Sequence, residues 1–513
     1  MLISVKVLLY LEGLLVLGLL VFRASLAPQM RGLIGSRTVF VTLATPAVAL
    51  LCSNVFILDA YLACAVAFTA RTRVEMCGTY LLLLPMTPAL QQDLYAGGTY
   101  LIPMMTFTAL NIGGLLGLLL TRGRVRRTDA AMNAGVLVLA LIFMFINARD
   151  VTGTGLLRVV ISTALLLVPP YLIVSRSVAD AEDVRRVLLL LCLAATLGSV
   201  IAIFGMLRRW DLYETLYGAL GVDRPLTSSY LAVRGGRMRM GGPLGDYSAF
   251  GLFLAAVLVL QPSLRSAFRR NWFPVVSGLL VLGLFTTQSR GAWVALLVGY
   301  SVSLMLRRKG AVAAGWLAVA AMGYLALGAL FAPSSHYADT LGTGGASMET
   351  AQYRQRLFSR GVEQVVAHPL FGQRPDQLIA SLSDLVQGEH IVDFVNTHLY
   401  VAMSAGVPAL IAWLAMWLVP VARLSGRRRK GAEWVQRSGI LVAPAAVLVT
   451  VLVALIFTSP IDRNLFWLLI ALGLATPALV PNGARRRREA APTLLPAQEG
   501  GVVGARTGSM GVA

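Results

Sequence analysis

The sequence predicts an all-α polytopic membrane protein with about 12–15 transmembrane helices. Hydrophobic residues make up 57% of its 513 residues and charged residues 13%, whereas soluble globular proteins contain roughly 45–50% and about 25%. The apolar residues form long runs, and a membrane-spanning helix needs about 20 of them. The formal net charge is +20, and the basic residues fall in short clusters between the apolar runs.

These basic clusters are typical of membrane topology. Examples are the arginines between Arg122 and Arg127 and the segment from Arg307 to Lys309. Lys and Arg collect in the short cytoplasmic loops of membrane proteins, and attraction to anionic lipid accounts for the remaining positive charge. We therefore expect membrane lipid, and no nucleic acid, among the partners.

Apolar runs and basic connections alternate from residue 77 onward. The runs lie near 77–93, 98–121, 131–147, 155–175, 187–206, 245–262, 273–288, 290–306, 311–332, 398–421, 438–457 and 463–481. If each run crosses the membrane, the basic connections at 71–75, 122–130, 176–186, 263–272, 306–310 and 423–437 all lie inside, as does the cluster from Arg485 to Arg488. Residues 77–480 then form one bundle of about twelve helices, with long outer loops at 207–244 and 333–397.

The two ends of the chain are predicted separately. Residues 1–76 form N-terminal membrane helices: the run from Met1 to Phe22 is a retained helix, and 38–70 is a tight pair of short helices. The N-terminus would then lie outside. Residues 481–513 form a basic cytoplasmic tail that is predicted to be disordered because it is rich in Gly, Ala and Pro.

The four histidines are concentrated in one region, since His336, His368, His390 and His398 all lie in the outer loop 333–397 or directly after it. Only His398 begins an apolar helix. A histidine there could act as a general base near neutral pH, or it could be a hydrogen-bonded residue of the membrane interface. The histidine spacing does not indicate a metal site.

Arginines at the outer ends of helices are the second signal, because the positive-inside tendency disfavours them there. Arg290 lies between two apolar runs with almost no loop; it could contact lipid phosphate or bind an anionic substrate through its planar fork. Arg239 precedes a glycine-rich segment, 241–246, of a kind that suits phosphate at a helix start. Arg354 lies on a predicted amphipathic helix over 350–367.

Several segments, in their order and sidedness, resemble the superfamily of O-antigen ligases and O-antigen polymerases. They are Arg239-Met240-Gly241-Gly242-Pro243-Leu244-Gly245-Asp246, Ser289-Arg290-Gly291-Ala292-Trp293, Tyr353-Arg354, His368-Pro369-Leu370-Phe371-Gly372, and His398-Leu399-Tyr400 leading to Gly406-Val407-Pro408. The resemblance covers roughly 185–480. The family commonly has asparagine where Leu399 stands and a second glycine where Ala409 stands, which leaves ligase or polymerase open.

Members of this superfamily transfer sugar chains from undecaprenyl pyrophosphate on the outer face of the bacterial cytoplasmic membrane. For this chain the resemblance implies that Arg239, Arg290 and Arg354 bind the pyrophosphate and that His398 helps to deprotonate the acceptor hydroxyl. It implies no metal and no other cofactor. The acceptor would be a second lipid-linked glycan, a lipid, or another polymer of the cell envelope.

The alternative hypothesis is a transporter or flippase for an anionic or lipid-linked substrate. Coupled carriers usually place carboxylates at mid-membrane. Here the acidic residues within apolar runs are chiefly Glu12 and Asp59, and both lie outside the region of resemblance. The sequence therefore favours the transferase.

Overall fold

A computed structural model describes residues 2–121, 128–151, 153–222, 233–234, 237–307, 309–330, 345–386, 392–429, 439–460 and 462–479. The predicted tail 481–513, His336 and His390 lie outside these ranges. Six of the helices described are long and apolar enough to cross a membrane, and eight shorter helices are also apolar. The predicted fold class, an all-α polytopic membrane protein, is confirmed.

The elements follow in this order. The helices before the first hairpin are α1 (Leu2–Ser25), α2 (Ser36–Cys52), α3 (Val55–Phe68) and α4 (Arg73–Leu83). The strands β1 (Gln91–Ala96) and β2 (Thr99–Met105) precede α5 (Thr106–Leu120), α6 (Ala130–Ala148), α7 (Thr154–Ser177), α8 (Ala181–Arg208) and α9 (Leu212–Leu220). The strands β3 (Val233–Arg234) and β4 (Arg237–Met238) precede α10 (Tyr247–Leu260), α11 (Phe273–Thr287), α12 (Arg290–Leu306) and α13 (Gly310–Leu330). The last helices are α14 (Gly345–Ala367), α15 (Pro375–Ser381), α16 (Thr397–Arg429), α17 (Gly439–Ala454) and α18 (Asp462–Leu479).

The predicted pair of short helices over 38–70 is observed as α2 and α3. The break falls at Ser53, which adopts a left-handed conformation with φ of 48°. Asn54 then caps α3, because its side-chain oxygen accepts hydrogen bonds from the amides of Phe56 and Ile57 at 2.9 and 3.3 Å. Such a cap satisfies amides that would otherwise lack partners at a helix start.

One stretch differs from the prediction. The helices expected near 77–93 and 98–121 are shorter, and the antiparallel hairpin of β1 and β2 lies between them. Its turn uses Gly97 and Gly98, which both have positive φ, as a tight hairpin turn requires. The polar residues of β1 are exposed, so the apolar pattern alone overestimated the two helices.

Close helix packing depends on small residues, as is usual between membrane helices. A Cβ atom added to Gly113 of α5 would lie 2.5 Å from the carbonyl oxygen of Ala63 in α3. A Cβ atom added to Gly283 of α11 would lie 2.6 Å from Cβ of Ser199 in α8. Both pairs of helices pack extensively, so larger residues at these glycines would force them apart.

Arginine-rich connections gather at one end of the bundle, which we call the basic end. Its backbone contacts join distant segments: the amide of Ala27 donates to the carbonyl of Ala267 at 2.9 Å, and the amide of Arg269 donates to the carbonyl of Ser25 at 2.8 Å. Arg37 donates to the carbonyl of Thr69 at 3.0 Å. These contacts join residues 25–27 to 267–269 and residue 37 to 69, as the predicted alternation of helices requires.

The amphipathic helix predicted over 350–367 is part of α14. Leu357 and Val365 belong to a small apolar core with α15 and the first turns of α16, separate from the main core. Residues on the other side of α14, such as Phe358, are exposed. This small core holds the segment that contains Arg354 against α16.

Candidate active site

Arg239 is buried at the opposite end of the bundle, which we call the site end. Its side chain is only 5% exposed, its Nε donates to the carbonyl of Thr287 at 3.2 Å, and its guanidinium carbon lies 3.1 Å from the ring centroid of Tyr247. The neighbouring amide of Met240 donates to the carbonyl of Thr286 at 3.1 Å. The end of α11 and the start of α10 thus hold this cation in place.

The glycine-rich segment after Arg239 is a tight turn. Gly245 has a φ of +68°, and a Cβ atom there would lie 2.4 Å from the hydroxyl of Tyr217. Asp246 then caps α10, with its Oδ1 accepting from the amide of Ala249 at 2.7 Å. Because a carboxylate already occupies this helix start, the segment does not leave the terminus open for phosphate. That this segment binds phosphate stays a prediction.

Arg290 begins α12 after a strained turn. Gln288 has a φ of 48°, which is uncommon for a residue other than glycine and is often found at functional sites. The carbonyl of Gln288 accepts from Arg234 at 2.8 Å, and the hydroxyl of Thr287 accepts from the amide of Ser289 at 3.2 Å. The turn fixes the direction in which α12 starts and connects it to the arginine of β3.

Arg354 and Asp393 approach the same place from the segment between α13 and α16. The hydroxyl of Tyr353 bonds both to the amide and to the carbonyl of Asp393, each at 3.1 Å. The hydroxyl of Ser459 donates to Oδ1 of Asp393 at 2.6 Å. Burial raises the pKa of Asp393, while the bond from Ser459 and the charge of Arg354 oppose that rise.

The arginines are close enough to influence one another. Burial lowers the pKa of Arg234, and the charges of Arg239 and Arg290 lower it further. Burial also lowers the pKa of Arg354, with a further contribution from Arg290. The three arginines selected from the sequence therefore converge, and Arg234 joins them. We call Arg234, Arg239, Arg290 and Arg354 the arginine cluster.

Several like charges in a buried site are costly unless an anion offsets them. Asp246 and Asp393 offset part of the charge of the arginine cluster. The guanidinium groups of the cluster stay protonated at neutral pH, so four positive charges lie close together. The arrangement is therefore suited to an additional anion, and planar guanidinium groups match phosphate oxygens well.

His398 has a different environment. The indole Nε1 of Trp413 donates to Nδ1 of His398 at 2.8 Å, and Nε2 lies 3.0 Å from the carbonyl of Leu452. Because the indole can only donate and the carbonyl can only accept, the ring is neutral with its proton on Nε2. In this arrangement neither nitrogen has a free lone pair for an acceptor proton. That His398 is the general base stays a prediction.

The remaining segments of the resemblance form a structural joint. Val407 donates to the carbonyl of Pro369 at 2.8 Å, and Gln373 donates to that of Met403 at 2.7 Å. Gly406 breaks the helical geometry of α16 with a φ of 86°, and a Cβ atom there would lie 2.3 Å from the carbonyl oxygen of Leu370.

The joint is also braced from α6. Arg149, just after that helix, donates to the carbonyls of Phe371 and Ser404 at 2.8 and 2.9 Å. His368 is exposed and lies in the turn after α14. In the part of the chain that the structure describes, no group of three His, Cys, Asp or Glu side chains could hold a metal ion.

Sequence reasoning missed some residues of the site. Tyr247, under the Arg239 guanidinium, has no feature in the sequence that distinguishes it from an interfacial tyrosine. Arg463 begins α18, is 8% exposed and donates to the carbonyl of Leu244 at 2.6 Å. Its position at the outer end of an apolar run is the criterion that selected Arg290, and could have identified it.

Residues 275–414 match a family model described as O-antigen ligase. This segment is therefore similar to the O-antigen ligase family. It includes Arg290, Arg354, Asp393 and His398, whereas Arg234 and Arg239 precede it. The match confirms, over this segment, the resemblance inferred from the sequence. A comparison with curated proteins finds no match.

Proposed function

We propose that this protein transfers a glycan from a polyprenyl pyrophosphate, such as undecaprenyl pyrophosphate, to an acceptor hydroxyl at the outer face of the bacterial cytoplasmic membrane. The observation that carries the proposal is that Arg239, Arg290 and Arg354, from three distant segments, lie close enough for their charges to act on one another in a partly buried site. The pyrophosphate of the donor is the anion that offsets this charge.

The chemical step is a displacement at the anomeric carbon of the donor sugar. The acceptor oxygen forms a bond to that carbon as the bond from the carbon to the pyrophosphate oxygen breaks. The leaving lipid pyrophosphate takes the electron pair, and the arginine cluster stabilises the charge that develops on it. Such electrostatic stabilisation is usually the largest single contribution to catalysis.

Asp393 is the general base that the contacts of the described residues favour. Its carboxyl is held by Ser459 and lies within range of Arg354, so it can take the acceptor proton beside the bound pyrophosphate. A buried carboxyl with a raised pKa is a stronger base once it is ionised. His398, the base expected from the resemblance, would first have to break its bond to Trp413, because only Nδ1 has a lone pair.

The test is transfer by the purified protein in proteoliposomes that contain a polyprenyl pyrophosphate-linked glycan. We expect product only when both donor and an envelope acceptor are supplied. A ladder of products with increasing length would indicate a polymerase, and a single addition to a lipid would indicate a ligase. Normal transfer by Arg290→Ala and Arg239→Ala variants would refute the assigned role of the arginine cluster.

The sidedness of the site can be tested independently. In a variant without the four native cysteines, a cysteine at Ser383, which is exposed after α15, should react with a membrane-impermeant thiol reagent in spheroplasts. A cysteine at Arg270, exposed at the basic end, should react only after the membrane is permeabilised. The reverse pattern would place the site in the cytoplasm.

A transporter or flippase remains the alternative, and one observation favours it. Asp59 of α3 is 4% exposed, and neither of its carboxylate oxygens has a hydrogen-bond partner among the described residues. A coupled carrier could use such a group. Uptake of the lipid-linked glycan into proteoliposomes that is abolished by Asp59→Asn, without any transfer, would support this alternative.

A further inference from the structure

A groove between α1 and α2 at the basic end belongs to no part of the proposed active site. It encloses about 970 Å³. Its lining combines apolar side chains with two arginines and one carboxyl: Glu12, Arg23, Arg31, Gly32, Ile34, Gly35, Ser36, Val39, Phe40, Leu43 and Ala44. A groove of this size on the side of a membrane bundle is large enough for the acyl chain of a lipid.

The two arginines lie at one end of the groove. Arg23 is in the last turn of α1, and Arg31 is in the short turn over Pro28–Leu33 that leads to α2. Neither forms an ion pair with a carboxylate among the residues described, and the buried Nε of Arg31 has no hydrogen-bond acceptor there. A phosphate would supply the missing acceptor and the opposite charge.

The length of the groove fits one leaflet. Glu12 and Arg23 are eleven residues apart on α1, which is about 16 Å along a helix axis. The hydrocarbon core of a membrane is about 30 Å thick, so the hydrocarbon part of one leaflet has a similar thickness of about 15 Å. A phosphate at the arginines would therefore lie at the membrane interface, the acyl chain would follow Val39, Phe40 and Leu43 toward the midplane, and Glu12 would be too distant to repel the phosphate.

A second, smaller pocket adjoins the groove at the basic end. It encloses about 450 Å³ between the start of α2 and the end of α3, shares Ser36 and Phe40 with the groove, and contains Arg37 and Arg71. Two neighbouring basic pockets match a lipid that carries two phosphate groups. Basic pockets between helices on the cytoplasmic side are known to bind lipid head groups of this kind.

We infer that the groove and the adjoining pocket bind one anionic phospholipid with two phosphates, of the cardiolipin class, from the leaflet at the basic end. The Arg23 and Arg31 side chains contact one phosphate, and Arg37 with Arg71 contacts the other. The lipid fills the space between α1 and α2. This site is separate from the proposed glycan transfer and does not depend on it.

The experiment is native mass spectrometry of the purified full-length protein, titrated with cardiolipin, phosphatidylglycerol or phosphatidylcholine. We expect cardiolipin to be retained most strongly and phosphatidylcholine least. Replacing both Arg23 and Arg31 by glutamine should weaken retention of cardiolipin by roughly tenfold or more. The matched control is Arg270→Gln, which removes an exposed charge from the same end outside the groove and should change retention little.

A second variant separates shape from charge. Leu43→Trp keeps every arginine but fills the groove, so it should also reduce retention of cardiolipin, while a thermal unfolding curve in detergent verifies that the variant is folded. Equal retention of phosphatidylcholine and cardiolipin would overturn the inference. So would equal losses in the Arg270 control and the double variant, equal binding of phosphatidylglycerol at the same phosphate concentration, or complete displacement of the lipid by inorganic phosphate at that concentration.

Discussion

The two ends of the bundle use arginine in opposite ways. At the basic end, Arg269 and Arg270 are exposed, and contact with water and lipid head groups is enough to stabilise them. At the site end, Arg239 is 5% exposed and is held between a backbone carbonyl and an aromatic ring. The number of arginines therefore does not distinguish the two ends, whereas the burial of their side chains does.

Buried and exposed arginines also differ in the free energy that it costs to place them in the protein. Burying a cation costs several kcal/mol by rough estimates for real proteins, and that cost rises when other cations are close. Arg239 bears this cost with Arg234 and Arg290 close by, whereas Arg269 and Arg270 at the basic end are exposed and avoid it. Such a cluster is expected where a ligand supplies negative charge.

The largest effect should come from the proposed base. Asp393→Asn keeps the shape of the side chain and can keep the bond to Ser459, but it cannot accept a proton. Loss of a general base typically costs about 10² to 10⁴ in rate, so glycan transfer should fall by that factor while donor binding persists. The measurement is single-turnover transfer with a purified lipid-linked donor.

His398→Gln is the comparison variant, because glutamine can still bond to Trp413. We expect it to lose much less activity than Asp393→Asn. If His398→Gln is inactive although folded, and Asp393→Asn is active, the general base is His398 and the assignment made from the sequence is right.

The next largest effect should come from removing an arginine at the site end, compared with removing one at the basic end. Arg290→Ala should reduce turnover by about 10² to 10³ if the guanidinium stabilises charge on the leaving pyrophosphate. Arg290→Lys should recover little, because an ammonium group does not reproduce the planar fork. Arg269→Ala, a matched loss of charge at the basic end, should leave turnover within a factor of about two. Equal effects at the two ends would remove the distinction between them.

A smaller effect is expected from the joint between α14 and α16. Gly406→Ala adds a Cβ atom at a φ of 86° and against the carbonyl of Leu370, which costs about 1–3 kcal/mol of stability. Its thermal unfolding temperature in detergent should fall, and transfer should fall with it because α14 carries Arg354. Gly278→Ala, where the added Cβ atom meets nothing within 4 Å, should be neutral. Identical unfolding curves for both variants would show that the joint adds no stability.

Much of this architecture could be predicted from the sequence, because membrane helices have strong signals. Apolar runs and basic connections gave most helices within a few residues. The hairpin of β1 and β2 was missed since its short apolar positions resemble helix ends, and only the Gly97-Gly98 pair marks the turn. The length and polarity of the apolar runs thus predict the helices of the bundle, whereas the hairpin can be predicted only from its turn residues.

The site was partly predictable for a related reason. Sidedness selected Arg239, Arg290 and Arg354, since an arginine on the outer side needs an explanation. The sequence also named His398 as the base, which stays a prediction, but it could not show the partners of this residue, Trp413, fifteen residues later, and Leu452 in another helix. The same limit hid Ser459, whose bond to Asp393 spans 66 residues of sequence. Local sequence patterns cannot predict the hydrogen bonds that a side chain forms with residues distant in sequence.

The smallest effect is a shift in pH dependence, and it sharpens the assignment of the base. Burial raises the pKa of Asp393, and the hydrogen bond from Ser459 lowers it. Ser459→Ala removes that bond, so the pKa of Asp393 should rise further. A general base acts only when it is ionised, and activity is lost as the pH falls through its pKa. The acidic limb of the profile of kcat/KM against pH should therefore move to higher pH in Ser459→Ala, while activity well above the limb is retained. Ser459→Thr keeps a hydroxyl and should restore the parental limb. An unchanged limb in Ser459→Ala would mean that a group other than Asp393 takes the proton, and a limb that vanishes only in His398→Gln would identify that group as His398.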